Sequence, residues 1–161
     1  MNGWRSLRRW WTIPAAALAL MCSISAARAD RIPTPATSLN AYRQECASCH
    51  MAYPPGLLPK ESWRRMISTL DKHYGTDASL DAQTGRQIEQ WLSANAATSK
   101  RAREAPAENR ITRSTWFTRE HHEIPAYVWQ RPSVRSPANC NACHAGAEQG
   151  RFSEHEVRFP R

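Results

Sequence analysis

The chain has 161 residues, 22 of them basic and 14 acidic, with five cysteines and six histidines. Apolar residues make up 41 %, mean hydropathy is −0.67, and much of the apolar content sits in one N-terminal block. This excludes a multi-span membrane protein and a large enzyme with a deep all-protein core, and it leaves the rest of the chain in need of another hydrophobic body to complete its interior.

Residues 1–29 read as a cleaved secretory signal. Arg5, Arg8 and Arg9 precede an apolar run from Ile13 to Ile24, and Ala27-Arg28-Ala29 supplies a small-residue cleavage site. The run is shorter than the ~20 residues of a membrane span. Its removal takes four arginines and no acid, leaving 18 basic against 14 acidic residues, a net +4. No basic stripe with interleaved aromatics follows, so nucleic-acid binding is not expected.

Beyond an extended, proline-containing start, Ser38 is the predicted cap of a first helix in which Leu39, Tyr42 and Cys46 recur at helical spacing. Tyr53-Pro54-Pro55-Gly56-Leu57-Leu58-Pro59 is a predicted loop. A second helix is predicted from about Lys60 to Lys72, because Trp63, Met66, Ile67, Leu70, His73 and Tyr74 form one apolar stripe. A third follows, capped by Ser79 or Asp81, with Ile88, Trp91 and Leu92 inward. Residues 98–110 read as a linker between a domain at 30–97 and a second at 111–161. In the latter, Ser114 is predicted to cap a short helix whose Phe117, His121 and Ile124 share a face before Pro125. The remainder has little regular pattern. The expected fold is mostly α: a helical N-terminal domain and an irregular, helix-poor C-terminal one.

The chemistry lies in the cysteines. Cys46-Ala47-Ser48-Cys49-His50 and Cys140-Asn141-Ala142-Cys143-His144 are each a complete C-x-x-C-H, the attachment sequence of a c-type haem. Two thiols three positions apart reach the two vinyl groups on one porphyrin edge, and the adjacent histidine, His50 or His144, lies beneath the iron. Disulfides do not explain a histidine after both pairs, and a zinc ribbon needs the pairs closer than the 90 residues between Cys49 and Cys140. A thioredoxin-like pair would not occur twice with histidine appended. Two covalently attached haems also supply the missing hydrophobic body.

Each iron has a second axial position. Met51 adjoins a proximal histidine and cannot cross the ring, and Met66 reads as core. The candidates are His73, His121, His122 and His155. The stripe favours His73 for the first haem. For the second, His121 shares a face with Phe117 and Ile124, His122 shares one with Thr115 and Thr118, and His155 lies among Glu154, Glu156 and Arg158.

The chain resembles the small bacterial dihaem cytochromes c that are redox partners of an oxygen-binding monohaem cytochrome, the sphaeroides haem protein. The resemblance spans nearly all of the mature chain. It is carried by Cys46–His50 running into Met51-Ala52-Tyr53-Pro54-Pro55-Gly56-Leu57-Leu58-Pro59, by Trp63, by His73-Tyr74-Gly75 with Ala78-Ser79-Leu80, by Arg119-Glu120-His121, and by Asn139 to Glu148. It implies a class I cytochrome c-like N-terminal domain, a less regular C-terminal haem domain, and two bis-histidine haems with His73 and His121 as distal ligands. The doublet His121-His122 stands where the family pattern has a single histidine. Also implied are a membrane b-type cytochrome as donor and a soluble monohaem cytochrome as acceptor. The expected role is periplasmic electron transfer with no small-molecule substrate. The competing expectations are a haem enzyme or gas sensor with one open iron, and a dihaem subunit of a periplasmic reductase.

Overall fold

The first helix, α1 (Asn40–Cys46), begins at Leu39, which offers no side-chain cap, and is held by what it buries. Tyr42 is 3 % exposed, and its hydroxyl donates to the Tyr53 carbonyl at 2.8 Å. The structure is a computed structural model that describes residues 31–32, 34–35, 39–99 and 104–161. The expected signal at 1–29, the expected cap Ser38 and part of the expected linker, 100–103, lie outside the described residues.

Beyond α1 and the turn that follows it, Pro54 and Pro55 keep the chain out of regular α-helix, as their missing N–H and fixed φ require. A 3-10 turn, Pro55–Leu57, follows. Leu57 and Leu58 then diverge: Leu58 packs with Tyr42, Trp63, Ile88 and Leu92, while Leu57 packs with Ile32, Trp116 and Phe117. Two cores thus meet at one dipeptide, and Tyr53 and Ile111 border both. The second helix, α2 (Lys60–Ser68), faces the first core through Trp63, whose indole N–H donates to the Pro55 carbonyl at 2.8 Å and pins the proline loop to the helix.

Helix α2 ends four residues before the predicted end at Lys72. The hydroxyls of Ser68 and Thr69 both bond back to the Arg65 carbonyl at 2.9 Å, an alternative partner that competes with continuation of the ladder. Thr69 leaves helical geometry (φ −129°, ψ 31°), and a 3-10 turn, Leu70–Lys72, completes the segment. His73 is therefore placed by this turn, not by a continuous helix. The third helix, α3 (Ala82–Ala94), is capped by Asp81, whose Oδ1 accepts from Gln83 N at 2.9 Å and Thr84 N at 3.0 Å. Of the two predicted caps, Ser79 is not used; its own N–H donates to Asp77. Ile88 and Leu92 are fully buried, each contributing roughly 1.5–3 kcal/mol by burial. Trp91 is half-buried against Tyr42 at 5.1 Å between centroids.

The second half is built from short pieces. Ser114 Oγ accepts from Phe117 N at 3.3 Å and caps α4 (Thr115–Glu120), and α5 (Ala126–Trp129) follows Pro125. The helix expected to carry Ile124 stops at Glu120, with His121 as its C-cap (φ −119°, ψ 12°). Ile124 precedes a proline and is disfavoured in α geometry, so the chain turns instead, Ile124 N–H donating to the His121 carbonyl at 3.1 Å. Beyond it come 3-10 turns at Cys140–Ala142, Ala147–Gln149 and Glu154–Glu156. Gly150 (φ +71°) accepts from Ile32 N at 2.9 Å, and a Cβ there would collide with the Ile32 carbonyl and the Thr34 hydroxyl. The start of the described chain is laced to its end in this way.

The described residues are mostly helical where regular; they form no strand, only the isolated bridges Arg31–Arg151 and His73–Thr76. No helix among them is long and apolar enough to cross a membrane.

Candidate haem sites

Cys46 closes α1 half-buried, and Ala47 to His50 form the turn beyond it, with Cys49 and His50 exposed. The second motif lies on the 3-10 turn Cys140–Ala142, with Cys143 and His144 half-buried after it. No disulfide joins these four cysteines. Burial pushes the thiols of Cys46 and Cys140 up to about 11, reinforced at Cys46 by Glu45. Burial raises Cys143 as well. Raised thiols of this kind are unlike the lowered thiols of redox-active pairs.

The fold sets the histidines in two pairs. His50 and His73 have ring centroids 6.2 Å apart at an interplanar angle of 33°. His121 and His144 are also 6.2 Å apart, at 77°. Two imidazoles sharing one metal, with bonds of about 2 Å and roughly 1 Å more from each ring nitrogen to its centroid, are separated by about this distance. Among the described residues no cluster of three or more His, Cys, Asp or Glu is assembled, so each pair offers two ligands, the number a porphyrin leaves for the protein.

The hydrogen bonds orient the rings. His50 Nδ1–H donates to the Met51 carbonyl at 2.7 Å, and His121 Nδ1–H donates to the Phe117 carbonyl at 2.9 Å. Each bond leaves Nε2 without a proton and free to bind a metal. The His121 ring is also stacked on Phe117 at 4.1 Å and 16°. Trp129 stands 6.0 Å from His121, and Phe152 stands 5.3 Å from His144. Tyr53 lies 4.9 Å from His50, and its hydroxyl donates to the Ala138 carbonyl at 2.7 Å, two residues before Cys140. Burial lowers the pKa of His73, helped by His50 and Arg110. Burial also lowers that of His144, helped by His121. Both shifts favour the neutral, metal-binding imidazole. His144 Nδ1 is buried with no hydrogen-bond partner among the described residues.

The other two candidates stand apart from this arrangement. His122 is 68 % exposed, its Nδ1–H donates to Arg119 O at 2.7 Å, and its Nε2 lies 3.9 Å from Glu123. His155 is exposed on the turn Glu154–Glu156. Sequence spacing gave no hint of Trp129, Phe152 or Arg110 beside the histidines. Trp129 and Phe152 lie in segments without periodicity, and Arg110 reads as linker.

A family model described as dihaem cytochrome c matches residues 42–152. Among solved structures, DHC purified from Rhodobacter sphaeroides is 43 % identical, with a TM-score of 0.63 over 72 % of this chain and 98 % of that one. A second structure, of diheme cytochrome c from the same organism, is 41 % identical over the same shares, also with a TM-score of 0.63. A diheme cytochrome type c from Shewanella baltica OS155 is 40 % identical, with a TM-score of 0.67 over 75 % of this chain and 92 % of that one. No curated protein matches. The relatives are spanned almost end to end at these identities, and both C-x-x-C pairs fall inside the matched region. The chain belongs to the dihaem cytochrome c family, and Cys46, Cys49, Cys140 and Cys143 attach its two covalent haems.

Proposed function

We propose that the protein is an electron carrier of the periplasm, not an enzyme, in which His50 and His73 hold one iron and His121 and His144 the other. The observation that carries this reading is the pair of 6.2 Å histidine separations, each fitting a metal held on both faces. A c-type haem supplies one-electron chemistry at its iron. The chain's part would be to hold each iron through two histidines, leaving no coordination site for substrate, and to wall the rings with Tyr53, Phe117, Trp129 and Phe152 against water. Histidine in place of methionine opposite the proximal ligand removes one cause of a high potential.

The segment around α1, α2 and α3 is read as a class I cytochrome c-like domain (30–97), joined through 98–110 to the irregular domain 111–161, with 1–29 as the export signal. The partners suggested by the resemblance are a membrane b-type cytochrome as donor and a soluble monohaem cytochrome, like the sphaeroides haem protein, as acceptor. The mature +4 is offset by about −1 from each ferric c-haem with ionised propionates. Docking therefore rests on local patches instead of a strong global field.

Carbon monoxide added to the fully reduced protein tests the carrier reading against a haem enzyme or gas sensor. Neither iron is expected to bind it readily. Rapid stoichiometric binding at one iron would establish an open site and refute the carrier assignment.

A further inference from the structure

His73 lacks the orienting hydrogen bond of His50 and His121, and unlike His144 it has no attachment cysteine beside it. His50 and His121 are each oriented by a hydrogen bond to a main-chain carbonyl, whereas His73 makes no side-chain hydrogen bond among the described residues. Its backbone lies past the break at Thr69 and is held only within its own turn, its N–H donating to the Leu70 carbonyl at 3.3 Å and its carbonyl accepting from Thr76 N at 3.1 Å. Its ring has Tyr74 at 4.8 Å.

Tyr74 is itself 42 % exposed, so burial does not hold it. It adopts a left-handed φ of 51° and is followed by Gly75 at φ 100°, a tight turn that the Thr76 N–H closes onto the His73 carbonyl at 3.1 Å. The turn sets its backbone, and its side chain is held from 34 residues away. The Tyr74 hydroxyl donates to the Glu108 carbonyl at 2.9 Å, and the Arg110 guanidinium lies 4.0 Å over the Tyr74 ring. Glu108 braces the arrangement, its carboxylate accepting from Arg110 Nε at 3.0 Å and Arg113 Nη1 at 2.6 Å. Glu108 and Asn109 are also left-handed, at φ 56° and 55°. The segment that makes this contact leads directly into Ile111, which borders both cores.

We propose that Tyr74, Glu108 and Arg110 form a clasp that positions His73 on the iron of the first haem, and that opening the clasp frees that axial site. The clasp rests on the assignment of His73 as a ligand. It makes the segment that leads into the second haem domain a determinant of ligation at the first. Arg110 and Tyr74 are positioning residues; neither touches the metal.

The test is carbon monoxide binding to the reduced dihaem protein, comparing Arg110→Ala, His73→Ala and the double variant. His73→Ala should open one iron completely. Arg110→Ala should raise the rate of binding at one iron about tenfold, from loss of the cation–π contact and of the restraint on Tyr74. The double variant should bind no more than His73→Ala alone. Arg110→Lys should restore part of the wild-type resistance by returning a cation to the ring. If His73→Ala opens an iron while Arg110→Ala binds as slowly as wild type, the clasp is refuted and the ligand assignment stands. If His73→Ala opens nothing, the assignment fails and the clasp with it. Carbon monoxide at both irons of Arg110→Ala would show general loosening and overturn the positioning role. If Arg110→Ala does not accumulate as a dihaem protein, Tyr74→Phe decides. It keeps the ring and loses only the bond to Glu108, so a rise of about fivefold supports the clasp and no rise refutes it.

Discussion

His121→Ala is expected to convert about half of the iron to a carbon monoxide-binding, mixed-spin form, with the other half unchanged, because a ligand lost at one of two equivalent-stoichiometry sites opens that site alone. His121 is the candidate that faces His144 at 6.2 Å, with its Nδ1–H directed to Phe117 O and its Nε2 free. His122→Ala and His155→Ala are expected to leave both irons low-spin, since both side chains lie exposed on other faces. The adjacent imidazole of His122 is held by Arg119 O on the solvent side, and recruiting it would mean breaking that bond and unwinding the end of α4. Optical titration of the reduced variants with carbon monoxide reads the fraction directly. Opening by His122→Ala and not by His121→Ala would reverse the assignment.

Trp63→Ala is expected to be the most destabilising single substitution in the first core. Trp63 is 2 % exposed among Tyr42, Leu58, Ile88 and Leu92, and truncation of a buried Trp of this kind costs about 3–5 kcal/mol. The indole also donates to the Pro55 carbonyl at 2.8 Å, so truncation removes that acceptor's partner and adds roughly 1–3 kcal/mol. A small domain with a total stability of about 5–15 kcal/mol has little margin for both. Trp63→Phe keeps most of the apolar volume and loses only the hydrogen bond, so its cost should be a fraction of the alanine value. Chemical denaturation of the two holoproteins gives the comparison. Equal midpoints for Trp63→Phe and Trp63→Ala would mean that packing contributes little there.

The two attachment motifs were legible in the sequence because their spacing is local: a thiol, two residues, a thiol and a histidine are read without knowing the fold. The inward positions of Trp63 on α2 and of Ile88 and Leu92 on α3 were legible for the same reason, since each helix writes its buried face at its own period. The local structure of His73 was not. A period that continues to position 73 predicts a helix there, but the hydroxyls of Ser68 and Thr69 bond back to Arg65 O and the ladder ends. The end of α4 was misread in a similar way, because Ile124 shares the period of Phe117 while the following proline decides its conformation. Arg110 was beyond reach of any pattern. Its contact with Tyr74 spans 36 positions and runs from a stretch whose composition reads as solvated linker. The divergence of Leu57 and Leu58 into two cores likewise depends on the 3-10 turn that ends at Leu57.

Coordination of each iron by two histidines has a direct spectroscopic consequence. In a bis-imidazole haem the ring planes act on the iron d orbitals that lie perpendicular to them. Rings near parallel act on the same orbital and separate the pair, whereas rings near perpendicular act on both and leave them close in energy. The planes of His50 and His73 differ by 33°, those of His121 and His144 by 77°. Low-temperature electron paramagnetic resonance of the fully oxidised protein is therefore expected to show two low-spin ferric species in equal amounts, one rhombic and one strongly anisotropic, and no high-spin iron. A high-spin signal from either site, amounting to half of the iron, would contradict the account.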